Sequence, residues 1–232
     1  MTPKAASTLM KKQLVSFRDF LKTGTLGPVY PGMKMIEIAK VLGAPDDWLT
    51  EYAEAVPEYW FYGTLEASFD KDPPHELDWF QIEHVHAIRG KTERITDQFV
   101  LSMEGLNGRT KPSEFLEAGL WAPDEVKIFY AKFSDWEFTL DLCAGLVHIF
   151  FRVDIDFIEN GEIERYLSKT SVAQIISDID RRTVVDSIYS YRHPSSEQRR
   201  IELDWKVLTG NEYLALVRQH ISPKRKGARR PL

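Results

Sequence analysis

The sequence predicts an α+β fold, a mainly antiparallel β-sheet with packed helices, from three observations. Segments with helical periodicity alternate with short segments rich in aromatic and β-branched residues. Glycine, proline and asparagine separate the short segments at spacings that suit hairpins. The 232 residues, 43% of them hydrophobic, can bury one sizeable core or two small ones. We therefore expect a single α+β unit over residues 1–221, which can divide into two similar lobes at 1–105 and 106–221.

Helices are predicted first, at residues 7–22 and 33–42. Apolar residues recur near helical spacing in both segments, and Gly24 and Gly43 are placed to end them. The period then changes, which predicts strands at 60–69, 79–89 and 98–103. A breaker sequence at 70–75 makes the first two strands a long-looped hairpin.

The rest of the chain repeats this pattern. A short helix is expected at 112–118, where Pro112 suits a first turn. Strands follow at 126–133, 137–143 and 146–153, and the short breaks between them predict two antiparallel hairpins. Helices are expected at 172–179 and 210–220, and residues 222–232 have the composition of a disordered basic tail.

The charge balance indicates the class of partner. The net charge is -5, and without the five basic residues of the tail the chain has 25 basic against 35 acidic residues. Such an acidic body favours a basic protein partner and argues against nucleic-acid binding. Cys143 is the single cysteine, which fits a reducing compartment, and no apolar run reaches the roughly 18 residues of a membrane span. We expect a cytoplasmic protein with no membrane partner.

Strong catalytic motifs are absent from the sequence. It has no glycine-rich phosphate loop, no Gly-x-Ser-x-Gly, no His-Glu-x-x-His and no Cys-x-x-Cys. Cys143 lies among apolar neighbours and is interpreted as a small core residue. A calcium loop starting at Asp156 fails because its twelfth position is Leu167. The sequence therefore predicts a protein that is not an enzyme, with no catalytic residue and no cofactor.

One histidine pair is the candidate for a metal site. On the predicted strand, His84 and His86 share a face about 7 Å apart, with His75 as the nearest third candidate. Zinc needs three or four protein ligands. A partly exposed polar strand face is the favoured interpretation, so no metal ligand is predicted.

Acidic and aromatic residues at the hairpin ends predict a binding surface. Carboxylates and a proline at 51–58 lie beside an aromatic run, and a second acidic set follows at 72–80. Aromatic anchors beside carboxylates suit the capture of a basic protein. The alternative is that the aromatic residues belong to the core and the loop is merely solvated. The acidic surface is defined as Glu51, Glu54, Glu58, Trp60, Asp72, Glu76 and Asp78.

Several short motifs carry a family resemblance over residues 17–153. They are Leu26-Gly27-Pro28, Gly32-Met33, Leu42-Gly43-Ala44-Pro45-Asp46 and Tyr62-Gly63-Thr64-Leu65-Glu66. With these motifs the chain resembles small bacterial α+β proteins of the immunity type, which are often found near toxin or defence genes.

The resemblance implies a shared fold and a protein-binding role. The function expected is that of an immunity protein, or antitoxin, whose acidic surface occludes the active site of a cognate basic toxin or effector domain. The alternatives are a structural or regulatory subunit of a bacterial assembly, and an enzyme of unrecognised type that uses His84, His86 and a carboxylate.

Overall fold

A computed structural model describes residues 12–50, 56–134, 137–156, 158, 162–194 and 205–220. The strands of this part, in chain order β1 to β12, are Gln13–Ser16, Asp47–Leu49, Tyr59–Tyr62, Leu65–Phe69, Leu77–Ile82, Thr92–Arg94, Phe99–Ser102, Lys127–Ser134, Glu137–Ala144, Val147–Val153, Thr183–Tyr191 and Lys206–Thr209. The α-helices of the same part, α1 to α6, are Phe17–Thr23, Met35–Leu42, Pro112–Glu117, Ile163–Lys169, Val172–Arg182 and Gly210–His220.

One nine-stranded sheet dominates the described residues. Its order is β12-β8-β9-β10-β11-β5-β4-β3-β2, and every neighbouring pair in it is antiparallel. A smaller sheet has the order β1-β7-β6, in which β1 and β7 are parallel. The predicted α+β fold with mainly antiparallel sheets is confirmed.

Two meanders make up the large sheet, and one strand pair joins them. Strands β2 to β5 form the first meander, and β8 to β11 form the second. The junction is the pairing of β11 with β5, from Ile188 opposite Ile82 to Tyr191 opposite Trp79. Strands from both predicted lobes therefore share one sheet, while the domain bounds themselves stay a prediction.

Helices cover one face of the large sheet and form the core with it. Phe20 of α1 stacks on Phe80 of β5 at 5.6 Å between ring centroids. Phe115 of α3 packs edge-on against Phe151 of β10 at 6.0 Å. These four rings are almost fully buried. Because side chains alternate between faces along a strand, the other face of the sheet carries the intervening residues.

The first predicted helix is wrong over its N-terminal part. Residues 1–11 lie outside the described part of the chain, and Gln13–Ser16 form β1. Ladder pairing with β7 overrides the helical spacing there. The helix begins at Phe17, after Ser16 Oγ accepts from the Asp19 N–H at 3.0 Å, and the predicted stop at Gly24 is confirmed by its φ of +73°.

The strand predicted at 79–89 is also wrong beyond Ile82. His84 takes a left-handed φ of +54°, and Val85–Ala87 form a short 3₁₀ helix. His84 and His86 therefore do not alternate along a strand; their rings lie 6.0 Å apart, edge to face. His75 lies in the loop before β5, with its Nδ1 3.1 Å from the Asp70 carbonyl oxygen.

Most later elements agree with the sequence prediction, with several omissions. Predicted helices at 33–42, 112–118 and 210–220 and the three strands between 126 and 153 are confirmed within a few residues. The single strand predicted at 60–69 is wrong, because a turn at Gly63, with a φ of +61°, divides it into the antiparallel strands β3 and β4. The sequence also missed β2, β6, β11, β12 and α4. The basic tail at 222–232 lies outside the described residues.

Gly108 holds the junction strand β11 in place. The Val185 N–H donates to the Gly108 carbonyl at 3.0 Å, and the Gly108 N–H donates to the Ile88 carbonyl at 3.1 Å. A Cβ at position 108 would lie 1.9 Å from the Val85 carbonyl oxygen. Only glycine allows the backbone of the 3₁₀ helix to approach so closely.

A buried carboxylate ties three helices together. Asp180 of α5 accepts from the Ser113 N–H at 2.9 Å, the Ser113 hydroxyl at 2.8 Å and the Tyr213 hydroxyl at 3.1 Å. Burial raises the pKa of Asp180, and these hydrogen bonds and nearby Lys111 oppose the shift only in part. These hydrogen bonds give Asp180 a structural role, because they link α5 to α3 and α6.

We predict that Gly108→Ala destabilises the protein by about 3 kcal/mol or more, or prevents folding, because the new methyl group collides with backbone. Gly105→Ala is the matched control, since position 105 has a φ of +89° but open space around it. Backbone strain alone costs that variant about 1 kcal/mol. Urea unfolding measures both, and equal losses would contradict the close-approach argument.

We predict that Asp180→Asn changes how stability depends on pH. The folded-state pKa of Asp180 is raised above its ordinary 3.8, so this group stabilises the fold below that value, and the contribution is lost as pH rises through the raised pKa. The unfolding free energy of the wild type minus that of the variant should therefore fall between acidic and neutral pH. Urea titrations from pH 4 to pH 7 measure it; a difference that grows with pH would refute the sign.

Candidate functional site

The described part of the acidic surface contains internal ion pairs. Glu51 and Glu54 lie outside the described residues. Glu58 precedes β3, and its carboxylate lies 3.2 Å from Lys71 Nζ. The Lys71 side chain is exposed and that of Glu58 is partly buried, and the pair offsets part of the predicted negative charge.

Arg192 offsets a second part of that charge. Its guanidinium pairs with Glu76 and, at 2.8 Å, with Asp70. Its backbone N–H donates to the Asp78 carbonyl at 2.7 Å, so the end of β11 is fixed against β5. Asp72 is exposed in the loop between β4 and β5. The structure thus brings Glu76, Asp78 and Arg192 together at one end of the sheet.

Trp60 packs mainly within its own sheet. Its ring lies 5.0 Å from that of Phe69 and 6.3 Å from that of Tyr62, edge-on in both cases. The side chain is half-buried and packs against the core. This position fits the alternative in which the aromatic run is core, while the partner-binding role of Trp60 stays a prediction.

The edge strand β2 exposes two large apolar side chains that sequence reasoning did not select. Trp48 is 58% exposed and Leu49 is 57% exposed, and Val56, just before β3, is 45% exposed. Asp47 is exposed beside them, and its carboxylate accepts the Trp48 N–H at 2.8 Å. The β2 edge is defined here as Asp47, Trp48 and Leu49. The available signal was an apolar pair directly after the Pro45-Asp46 turn.

The face of the large sheet opposite the helices carries a row of aromatic rings. Trp79 lies 6.0 Å from Tyr59 and 5.4 Å from Tyr189, and Tyr189 stacks on Tyr191 at 5.5 Å. Burial raises the pKa of Tyr189 to about 12, so its hydroxyl stays protonated at neutral pH. The row runs from the first meander across the junction into the second.

At the far end of this row, three side chains with different chemistry meet. The Cys143 Sγ lies 3.2 Å from His148 Nδ1, and the same Nδ1 lies 3.1 Å from Asp141 Oδ2. One donor atom from each residue lies within 4.8 Å of the others. Asp141 and His148 are almost fully buried, whereas Cys143 is partly exposed. These three residues are called the Asp-Cys-His cluster.

Strand geometry assembles the Asp-Cys-His cluster. Asp141 and Cys143 are two apart on β9 and share a face. The two-residue turn that begins at Gly145, with a φ of +62°, places His148 of β10 directly opposite Cys143. The interpretation of Cys143 as a small core residue was wrong, because its apolar neighbours Leu142 and Ala144 lie on the buried, helix-covered face, whereas Cys143 lies on the other face and is partly exposed. The signal that sequence reasoning missed is the pair Asp141 and Cys143 across a tight turn from His148.

A cavity on the helix-covered side has a different lining. It measures about 440 Å³ and lies between the β8–β9 hairpin and the helices α4 and α5. Tyr130, Phe138, Leu167 and Ile175 contribute to its walls. The predicted binding residues do not line it, so it is separate from both surfaces described above.

Among the described residues, the helices are too short or too polar to cross a bilayer. Comparison with known proteins yields no matching family model, no matching curated protein and no matching solved structure.

Proposed function

We propose that this chain is a binding protein without enzymatic activity, most concretely an immunity protein that neutralises a cognate toxin in the cytoplasm by covering its active site. The exposed β2 edge carries the proposal. The family resemblance of the motifs around Gly43 and Gly63 supplies the toxin as the class of partner.

An exposed apolar edge strand is typical of a surface that binds another protein. Edge strands are commonly protected by charges, bulges or a covering segment, because an open edge invites pairing with other chains. Here Trp48 and Leu49 are adjacent and both more than half exposed. Tryptophan is prominent among residues that anchor protein interfaces. The β2 edge therefore suits an anchor that a partner buries.

Carboxylates near the anchor favour a basic partner. Asp46 and Asp47 are exposed in or beside β2, and Asp72 is exposed in the β4–β5 loop of the same meander. The chain is net negative, at -5. Charges of this sign would steer a basic domain toward the surface, while burial of Trp48 would slow its dissociation. A toxin that acts on nucleic acid has a basic cleft of the kind that such a surface could occlude.

We predict that Trp48→Ala with Leu49→Ala weakens partner binding at least about 30-fold, as expected for the loss of a central anchor. The tagged protein is used to capture partners from its native host at low and high salt, with identification by mass spectrometry. A single basic toxin or effector, retained by the wild type and lost by the variant, is the expected result. Val207→Ala is the matched control, since Val207 is 52% exposed on β12 at the opposite edge of the sheet.

Three other outcomes would contradict the proposal. Equal capture by the wild type and the Trp48/Leu49 variant would mean that the β2 edge is not part of the interface. Absence of any partner would favour the alternative of an unrecognised enzyme. A large assembly captured in place of a toxin would favour a structural or regulatory subunit.

We predict that Asp47→Asn with Asp72→Asn slows association several-fold at low salt and leaves dissociation nearly unchanged, because exposed charges act mainly on encounter. Stopped-flow or surface-based kinetics with the captured partner measure both rates. The control, Asp124→Asn with Glu125→Gln, removes the same charge beside β8 at the other end of the sheet. An equal effect from the control would mean that net charge, rather than this surface, steers the partner.

A further inference from the structure

We propose that Asp141, Cys143 and His148 form a binding site for Zn²⁺ on the face of the large sheet opposite the helices. This site goes beyond the proposed function and does not depend on it. The sequence predicted no metal ligand, and the three residues become a candidate set only when β9 and β10 pair.

The donor atoms have the spacing that a small cation requires. A Zn²⁺ ion binds nitrogen and oxygen at about 2.0 Å and sulfur at about 2.3 Å, so tetrahedral ligand atoms lie roughly 3.3 to 3.6 Å apart. The observed separations are 3.2 Å from Cys143 Sγ to His148 Nδ1 and 3.1 Å from that nitrogen to Asp141 Oδ2. The third pair, the Cys143 sulfur and an Asp141 oxygen, lies within 4.8 Å, so binding one ion requires these two atoms to draw together.

The protonation states of the three groups are compatible with a bound cation. The His148 Nδ1 faces both a carboxylate oxygen and a thiol, yet an imidazole nitrogen carries at most one proton. A metal ion can be bound by all three atoms at once, with the thiol proton released to solvent and the imidazole proton on Nε2.

The ligand set selects the class of metal. A thiolate, an imidazole and a carboxylate together suit Zn²⁺, whereas Mg²⁺ and Ca²⁺ prefer oxygen ligands alone. Three protein ligands leave a fourth position for water or another ligand. Cys143 is the partly exposed member of the cluster.

The surroundings hold one ligand rigidly. The His148 ring packs edge-on against Tyr191 at 4.9 Å and stacks with Phe150 at 6.4 Å. Fixed ligand orientation lowers the cost of assembling a metal site. Six strand spacings separate β9 from β2, roughly 29 Å, so the metal site and the β2 edge can be tested separately.

The test is a Co²⁺ titration of the full chain, stripped with a chelator under reducing conditions. Co²⁺ occupies zinc sites and reports a bound thiolate through a sulfur-to-cobalt charge-transfer band. We expect saturation at one equivalent, displacement by stoichiometric Zn²⁺, and a rise in the thermal midpoint with Zn²⁺. Cys143→Ser should abolish the charge-transfer band and weaken Co²⁺ binding at least a hundredfold.

Controls separate this site from surface histidines and from misfolding. His84→Ala with His86→Ala should keep the charge-transfer band, because those rings lie outside the cluster. Cys143→Ser is close in shape and sits at the partly exposed position, and circular dichroism verifies its fold. No band in the wild type, or an undiminished band in Cys143→Ser, would overturn the proposal and leave a hydrogen-bonded Asp-Cys-His cluster.

Discussion

The pairing of β11 with β5 is the constraint on which the rest of the structure depends. It joins two meanders into one sheet, through four residue pairs from Ile188 opposite Ile82 to Tyr191 opposite Trp79. Contacts from distant parts of the chain support β11. The Gly108 carbonyl accepts from Val185, the Gly24 carbonyl accepts from the buried Ser190 hydroxyl at 2.7 Å, and Arg192 pairs with Asp70 and Glu76.

This single sheet explains how the molecule presents separate surfaces. Joining the meanders in the middle leaves β2 at one end of the sheet order and β12 at the other. Helices occupy one face, so aromatic and polar side chains collect on the other. The aromatic row crosses the junction through Tyr189, and the Asp-Cys-His cluster lies beyond it on β9 and β10. An edge suited to protein binding and a face suited to a metal ion therefore belong to one framework.

Local sequence signals could predict much of the fold. Gly43 ends α2 as expected from its position after an apolar helix face, and Pro112 begins α3. The hairpins between β8 and β10 follow from aromatic and β-branched segments with short breaks. By contrast, residues 13–16 match helical spacing, and they form β1 because they pair with β7, which is distant in sequence. Strand β11 follows α5 without a glycine or proline break that would mark its start. Pairing with distant strands decides both cases, and a single sequence does not display it.

The candidate sites were less predictable than the fold, because they depend on contacts between residues that only the folded chain brings together. The charges of Glu58 and Glu76 were visible in the sequence, but their partners Lys71 and Arg192 follow only from the fold. Trp48 and Leu49 were overlooked because an apolar pair after a turn does not by itself show whether its side chains are exposed. Cys143 and His148 meet across a tight turn, a relation that needs the strand register.

Amide hydrogen exchange of the captured complex tests most directly whether the partner binds at the β2 edge. The free and bound chains are compared peptide by peptide under identical conditions. We expect binding to protect Asp47–Leu49 and the neighbouring Tyr59–Tyr62 strand, with little change over Glu137–Ala144. Protection confined to β8, β9 and β10, with β2 exchanging as in the free protein, would contradict it.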